Sequence, residues 1–202
     1  MNLKYQYLGE EISPQQASQL NKFEKIYILP NGEKKKVEIF KDKEIRKINY
    51  YRDENETEED AIGILSSSGV GYNIITRQNY NTYLIENTNV YLGNIKIGEF
   101  KILIDQDNEI ICFQGIDIVS NQPIFEETTK HLGHYEDERS THYCTFHYNA
   151  DGSLFYCEFN YMSDYDTEEF HQDNIHLIRE KFVLTDQMYN YYLTAQFLPP
   201  LV

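Results

Sequence analysis

Apolar and polar residues alternate along much of the chain, in short runs separated by turn residues. The run Leu3–Leu8 alternates in this way and predicts a short strand. Phe23–Leu29 and Val37–Phe40 are apolar-rich and flank Pro30-Asn31-Gly32, a strong hairpin signal because proline presets one turn dihedral and glycine accepts the left-handed one. The pattern therefore predicts an antiparallel meander over residues 22–51.

A second hairpin is predicted around Asp105-Gln106-Asp107-Asn108, between the apolar runs 94–104 and 109–119. Pairing residue 104 with residue 109 sets Phe100 opposite Phe113, so the two aromatic rings should share one face of the sheet.

A third hairpin is predicted around Asn149-Ala150-Asp151-Gly152. If Tyr148 faces Ser153 across this turn, Cys144 faces Cys157, at a separation that would tolerate a disulfide. The chain has three cysteines, an odd and scattered set that is typical of a reducing compartment. We therefore expect buried free thiols.

Helix signals are few. Ser13-Pro14 provides a cap and a first-turn proline for a short helix that runs to about Leu20. Thr185 can cap a second helix near the C-terminus, and residues 175–184 fit a helix or a strand equally well. The fold class predicted is α+β, a predominantly antiparallel sheet of hairpins and meanders with two or three short helices.

The chain has 202 residues, which suits a single domain over 1–202. Charge is distributed unevenly, with a net of +4 over residues 1–52 and −19 over residues 53–202. Six acids within residues 53–60 predict a solvated loop. An alternative organisation is thus an N-terminal subdomain 1–52, joined by the acidic loop 53–60 to a main body 61–202.

The overall charge of −15 and the pI near 4.7 disfavour nucleic acid and anionic membranes as partners, because phosphates would be repelled. No apolar run approaches the roughly 20 residues of a membrane-spanning helix. The first residues lack the apolar core of a signal peptide, so a cytoplasmic location is expected.

A cluster of histidines with one cysteine resembles zinc ligands in type. Its members are His131, His134, His142, Cys144 and His147. His142 and His147 would point to opposite faces of one strand, which argues against a common site. We therefore predict no metal and no cofactor, with a zinc-binding domain or a metal-dependent enzyme as the alternative. No catalytic signature is present, and a non-enzymatic role is favoured.

Acidic residues mixed with aromatic ones predict a surface for a basic protein partner, since charge speeds association and tyrosine anchors the complex. Residues 136–186 hold twelve acids and three bases. The partner-binding residues predicted within this stretch are Tyr161, Asp164, Tyr165, Asp166, Glu168 and Glu169.

In length, acidity and tyrosine-rich acidic stretches such as Tyr161-Met162-Ser163-Asp164-Tyr165-Asp166, the chain resembles the immunity proteins of bacterial polymorphic-toxin systems. The resemblance implies a cytosolic, non-enzymatic protein that neutralises a cognate toxin by direct binding. An alternative is an accessory or structural component of a bacterial assembly that binds partners along exposed strand edges.

Overall fold

The computed structural model describes residues 1–136, 141–161 and 167–200, except for the side chains of residues 134–136, 141, 142 and 161. This part of the chain contains thirteen β-strands, four α-helices and a 3₁₀ turn at 66–68. The strands are β1 Asn2–Tyr7, β2 Glu10–Ile12, β3 Lys22–Ile28, β4 Lys34–Lys41, β5 Glu44–Tyr51, β6 Gly71–Tyr80, β7 Tyr83–Leu92, β8 Ile95–Ile104, β9 Ile110–Ile116, β10 Pro123–Glu136, β11 Thr141–Tyr148, β12 Leu154–Tyr161 and β13 Thr167–Phe170. The helices are α1 Pro14–Gln19, α2 Glu58–Leu65, α3 His176–Lys181 and α4 Asp186–Tyr192.

The strands follow one another in the sheet almost as they do in the chain, in the order β13 to β3, then β1 and β2. Neighbouring strands with a described register are antiparallel, apart from the parallel pair β5–β6. The α+β class is therefore confirmed. The meander over 22–51 is also confirmed, because β3, β4 and β5 pair in sequence and Gly32 has a φ of +90° in the first turn.

The acidic run 53–60 is a loop only as far as Thr57, which caps α2. The Thr57 hydroxyl accepts a hydrogen bond from the Asp60 backbone, and the Asp60 carboxylate accepts one from the Thr57 backbone. Three acids in the first turn suit the positive end of the helix dipole. The expectation of a loop throughout was wrong, because the helix provides the crossover that the parallel pair β5–β6 requires.

The chain divides into two compact units. Unit 1 comprises residues 1–77 and 87–99, and unit 2 comprises residues 78–86 and 100–202. The core of unit 1 lies where α2 packs on the sheet, with Ala61 and Leu65 of the helix fully covered. Tyr72 and Tyr91 stack in this core at a ring-centroid distance of 5.4 Å.

Unit 2 has a larger core between the inner face of β11–β13 and the two C-terminal helices. Phe146 stacks on Tyr192 of α4 at 4.6 Å, and Phe159 meets Phe182, which follows α3, edge to face. The helix predicted to begin at Thr185 is confirmed as α4. The Thr185 hydroxyl accepts a hydrogen bond from the backbone N–H of Met188 and so caps the helix. The segment 175–184, which fitted helix or strand, contains α3.

The predicted pairing of Cys144 with Cys157 was wrong. Cys144 pairs with Phe159, and Cys157 pairs with Phe146. A turn forms at this place, but Tyr148 pairs with Leu154 and not with Ser153, one residue from the prediction. Phe155 is then inserted as a bulge, which shifts the register by one more residue. The two cysteines are buried diagonal neighbours, and both are free thiols.

Two further expectations agree with the structure. Ser13 caps α1 in a capping box with Gln16, and Pro14 occupies the first turn. Phe100 and Phe113 lie in ring contact, with centroids 5.1 Å apart. None of the helices in the described ranges is long and apolar enough to cross a membrane.

Lys35 anchors the acidic segment that precedes α2, and its removal should destabilise the protein. Its Nζ lies 2.7 Å from Asp53 and 2.8 Å from Glu56, over the ring of Tyr50. Because Lys35→Met leaves the partly buried Glu56 carboxylate without its cation, we expect a loss of about 1–3 kcal/mol in the free energy of unfolding, measured in urea.

The matched control is Lys34→Met, which removes the same charge from an exposed position on the same strand. It should change stability by less than about 0.5 kcal/mol. Equal effects of the two substitutions would contradict the anchoring role of Lys35.

Candidate functional site

Nearly all of the negative charge of the protein belongs to unit 2. Nineteen acids and five Lys or Arg residues give unit 2 a net charge of −14, whereas fourteen acids and thirteen bases give unit 1 a net charge of −1. A basic molecule would therefore be attracted to unit 2.

Unit 2 contains a cleft of about 1020 Å³ where two neighbouring strands separate. β9 and β10 pair from Pro123–Ile116 to Lys130–Cys112, and the described pairing ends there. Beyond this point Ile110 and Ile111 of β9 line one side of the cleft, and His131 and Leu132 of β10 line the other. β10 has a bulge between Ile124 and Thr128, but three further pairs follow it, so the described pairing ends only beyond Lys130–Cys112.

The rim of the cleft is acidic. The β8–β9 turn contributes Asp105, Asp107 and Glu109, and the described lining includes no Lys or Arg. The Asp105 carboxylate accepts hydrogen bonds of 2.9 Å from the backbone of Asp107 and of Glu109, so it fixes the turn. The side chains of Asp107 and Glu109 are exposed and remain available to a ligand.

The rest of the lining is largely aromatic and apolar. Tyr83 begins β7, Tyr143 lies on β11, and Met188 and Tyr192 come from α4. Tyr143 is 37% exposed, which leaves its ring available for contact. Tyrosine and methionine next to carboxylates suit a cation with an aliphatic stem.

Two groups at the cleft are uncharged at neutral pH. Burial, with the nearby imidazole of His147, lowers the pKa of His131. Burial raises the pKa of Tyr192, whose hydroxyl donates a hydrogen bond of 3.4 Å to the carbonyl of His131. The carboxylates therefore dominate the electrostatics of the cleft at pH 7.

Lys130 is fully buried directly beside the point where the strands separate. Its Nζ donates to the carbonyl of Tyr191 and, at 2.7 Å, to that of Thr194, and it lies 3.3 Å from the centre of the Tyr191 ring. Burial lowers the pKa of Lys130 to about 7. Since no solvent reaches it, we assign Lys130 to holding the C-terminal segment against the sheet.

The predicted partner-binding residues are only partly described. Asp164, Tyr165, Asp166 and the side chain of Tyr161 lie outside the described residues. Glu168 and Glu169 are exposed on β13, which ends the strand order. The register places Glu169 in one cross-strand row with Glu158, Thr145 and His131, so three strand spacings, about 14 Å, separate it from the cleft wall.

The histidine cluster does not converge in the described residues. His131 pairs with Thr145, whereas Cys144 pairs with Leu132, so the His131 and Cys144 side chains point to opposite faces. His147 stacks on Tyr156 at 4.5 Å. The side chains of His134 and His142 lie outside the described residues, and within the rest no group of three His, Cys, Asp or Glu could hold a metal ion.

The cysteines are poorly suited to nucleophilic chemistry. All three are fully buried. Burial raises the pKa of Cys112 to about 11, and a hydrogen bond with Cys144 together with burial raises that of Cys157. Thiols that are both buried and protonated are not reactive nucleophiles.

Comparison of the chain with protein-family models, with curated proteins and with solved structures gave no match. The chemistry of the cleft and the charge of unit 2 are therefore the basis for a functional proposal.

Sequence reasoning identified the turn at 105–108 but not the cleft beside it. Three carboxylates within the five residues 105–109 are a visible signal. Tyr83, His131 and Tyr192, however, are far apart in sequence, and only the fold brings them together at the cleft.

The buried lysine should make stability depend on pH. Folded Lys130 loses its proton near pH 7, whereas the unfolded chain keeps it until about pH 10.4, so the free energy of unfolding should rise as pH increases from 7. Lys130→Met should remove up to about 1.4 kcal/mol per pH unit of this rise between pH 7 and 8.5. Urea unfolding at several pH values measures both slopes.

Cys112, Tyr148 and Tyr191 surround Lys130 and are protonated in this range, so they do not mask the effect. The exposed Lys22→Met should leave the slope unchanged. Identical slopes for the wild type and Lys130→Met would show that folded Lys130 keeps its charge.

We also expect well below one equivalent of zinc per purified chain by elemental analysis, because His131 and Cys144 point to opposite faces. Stoichiometric zinc, with loss of stability on chelation, would instead support the zinc-binding alternative.

Proposed function

We propose that the protein is a non-enzymatic, cytoplasmic binding protein that neutralises a basic bacterial toxin, in the manner of an immunity protein. The observation that carries the proposal is the net charge of −14 on unit 2, together with its acid-rimmed aromatic cleft. Like charges on one face steer a basic partner into an encounter, and aromatic side chains then supply contact area.

The exposed face of β11–β13 supports the same proposal. Glu158 and Glu169 are direct cross-strand neighbours, and they lie near His147 and His171 at 3.8 and 3.6 Å respectively. The ring of Tyr156 lies between the two histidines. Such a face of carboxylates and rings favours a cationic protein surface.

A second candidate is an accessory protein that binds along a free strand edge. β13 ends the strand order, but Thr167, Glu168 and Glu169 are all exposed on its four residues. Short, charged edge strands disfavour the addition of another strand. We therefore prefer binding by the charged face to edge pairing at β13.

The proposal is tested with the protein encoded by the reading frame next to the gene. We expect that protein to be basic and toxic when expressed alone, and co-expression with this chain should restore growth and give a stable complex. A neighbour that is acidic, or that forms no complex with this chain, would contradict the proposal.

Charge reversal in unit 2 should slow association with that partner. Glu168→Lys with Glu169→Lys changes the charge by four units at exposed positions, and we expect the association rate to fall by about tenfold at low salt. The difference from the wild type should shrink in 1 M salt, where the Debye length is about 3 Å. Biolayer interferometry measures the rates.

The matched control reverses Glu10 and Glu24, which are exposed residues of unit 1. This variant has the same net charge and should associate at close to the wild-type rate. If both variants slowed association equally, the rate would depend only on the total charge of the protein. That result would contradict unit 2 as the binding unit.

A further inference from the structure

We infer that the cleft between β9 and β10 is the docking site for an extended, arginine- or lysine-bearing segment of the partner protein. The inference rests on the proposed function and deepens it, since it names the site and the chemistry of what enters. It also places the anchor of the complex at the cleft, on the far side of β11 and β12 from the predicted Glu168 and Glu169 of β13.

The charge of the lining determines the sign of the ligand. The exposed carboxylates of Asp107 and Glu109 stand on a turn that Asp105 holds rigid. The described lining residues include no Lys or Arg, and His131 is neutral. An anionic ligand would therefore have no positive charge to pair with in the cleft. A guanidinium or ammonium group at the rim would be matched by two carboxylates.

The aromatic part of the lining determines which uncharged group of the ligand packs in the cleft. Tyr83, Tyr143 and Met188 offer rings and a thioether below the acidic rim. The aliphatic stem of an arginine or lysine packs well on such surfaces while its charged end reaches the carboxylates. A compact inorganic cation would leave this apolar area uncovered.

The strand geometry favours an extended segment over an isolated side chain. Ile110–Ile111 and His131–Leu132 face each other across a gap where the described ladder has ended. An extended peptide can lie along two strand ends of this kind and place successive side chains on the lining residues. The volume of about 1020 Å³ lies at the upper end of the range of ligand pockets and has room for several residues.

The site can be tested without the partner, by NMR titration of the full chain with the tripeptide acetyl-Arg-Leu-Arg-amide. We expect saturable shifts in the millimolar range at the backbone amides of residues 105–111 and 131–133, and none there with acetyl-Glu-Leu-Glu-amide. The arginine peptide should bind more weakly as salt is raised. Shifts that are absent from the cleft, or equal for both peptides, would overturn the inference.

Two double variants distinguish binding in the cleft from general electrostatic attraction between the peptide and unit 2. Asp107→Asn with Glu109→Gln removes the exposed rim charges and should weaken tripeptide binding by roughly threefold to tenfold. Asp173→Asn with Glu180→Gln removes two exposed charges elsewhere in unit 2 and should change it by less than twofold. Equal weakening by both pairs would contradict a specific site.

Gly133 allows the cleft to be blocked. It belongs to the lining, and a Cβ added there meets no other atom within 4 Å, so Gly133→Phe should fold and obstruct binding. Gly63→Phe, at an equally open position in α2 of unit 1, is the control. Circular dichroism verifies that both variants are folded.

Binding of the partner to these variants also distinguishes the cleft as the docking site from the proposed function. A complex that Gly133→Phe does not weaken would overturn the cleft as the docking site and leave the proposed function standing. Tripeptide binding in the cleft, without any complex, would contradict the proposed function while the site remains.

Discussion

The contact between the buried Lys130 and the C-terminal segment is the interaction on which the candidate site depends. Lys130 belongs to the last pair of the β9–β10 ladder and donates to the carbonyls of Tyr191 and Thr194. It thereby holds α4 under the point where the strands separate, and α4 supplies Met188 and Tyr192 to the lining of the cleft. Without this contact, the cleft would lose the side chains that α4 contributes to its lining.

A buried amine is an expensive way to hold a segment, since desolvation opposes its charged form. Two carbonyl acceptors and the ring of Tyr191 compensate part of that cost. An apolar residue would avoid the cost but would leave both carbonyls without a donor. The arrangement therefore favours one position of the C-terminal segment over alternatives in which it is displaced.

Local signals in the sequence were sufficient for the hairpins and two of the helices. The Asn31-Gly32 turn and the Ser13 and Thr185 caps act within a few residues, so their outcome did not depend on the rest of the fold. α2 was missed because the first turn of the helix is entirely acidic. The Thr57–Asp60 capping box favours a helix at this place, and the connection between two parallel strands requires a crossover there.

The errors and omissions elsewhere involve bulges and burial, which depend on tertiary packing. A turn one residue longer than predicted and the bulge at Phe155 together pair Cys144 with Phe159, and the pairing of β10 with β9 ends at Lys130–Cys112. Lys130 looks like an ordinary exposed lysine in sequence, and only the fold encloses it. The cleft is a product of these long-range effects, whereas the acidity around it could be counted in advance.

We propose that a basic partner binds to unit 2 through the cleft between β9 and β10. Hydrogen–deuterium exchange, measured on the chain alone and in complex with the protein encoded beside it, tests this claim most directly. We expect the protection on binding to be greatest in residues 105–111 and 131–133, with unit 1 unchanged. Protection confined to unit 1, or to parts of unit 2 that exclude both segments, would contradict it.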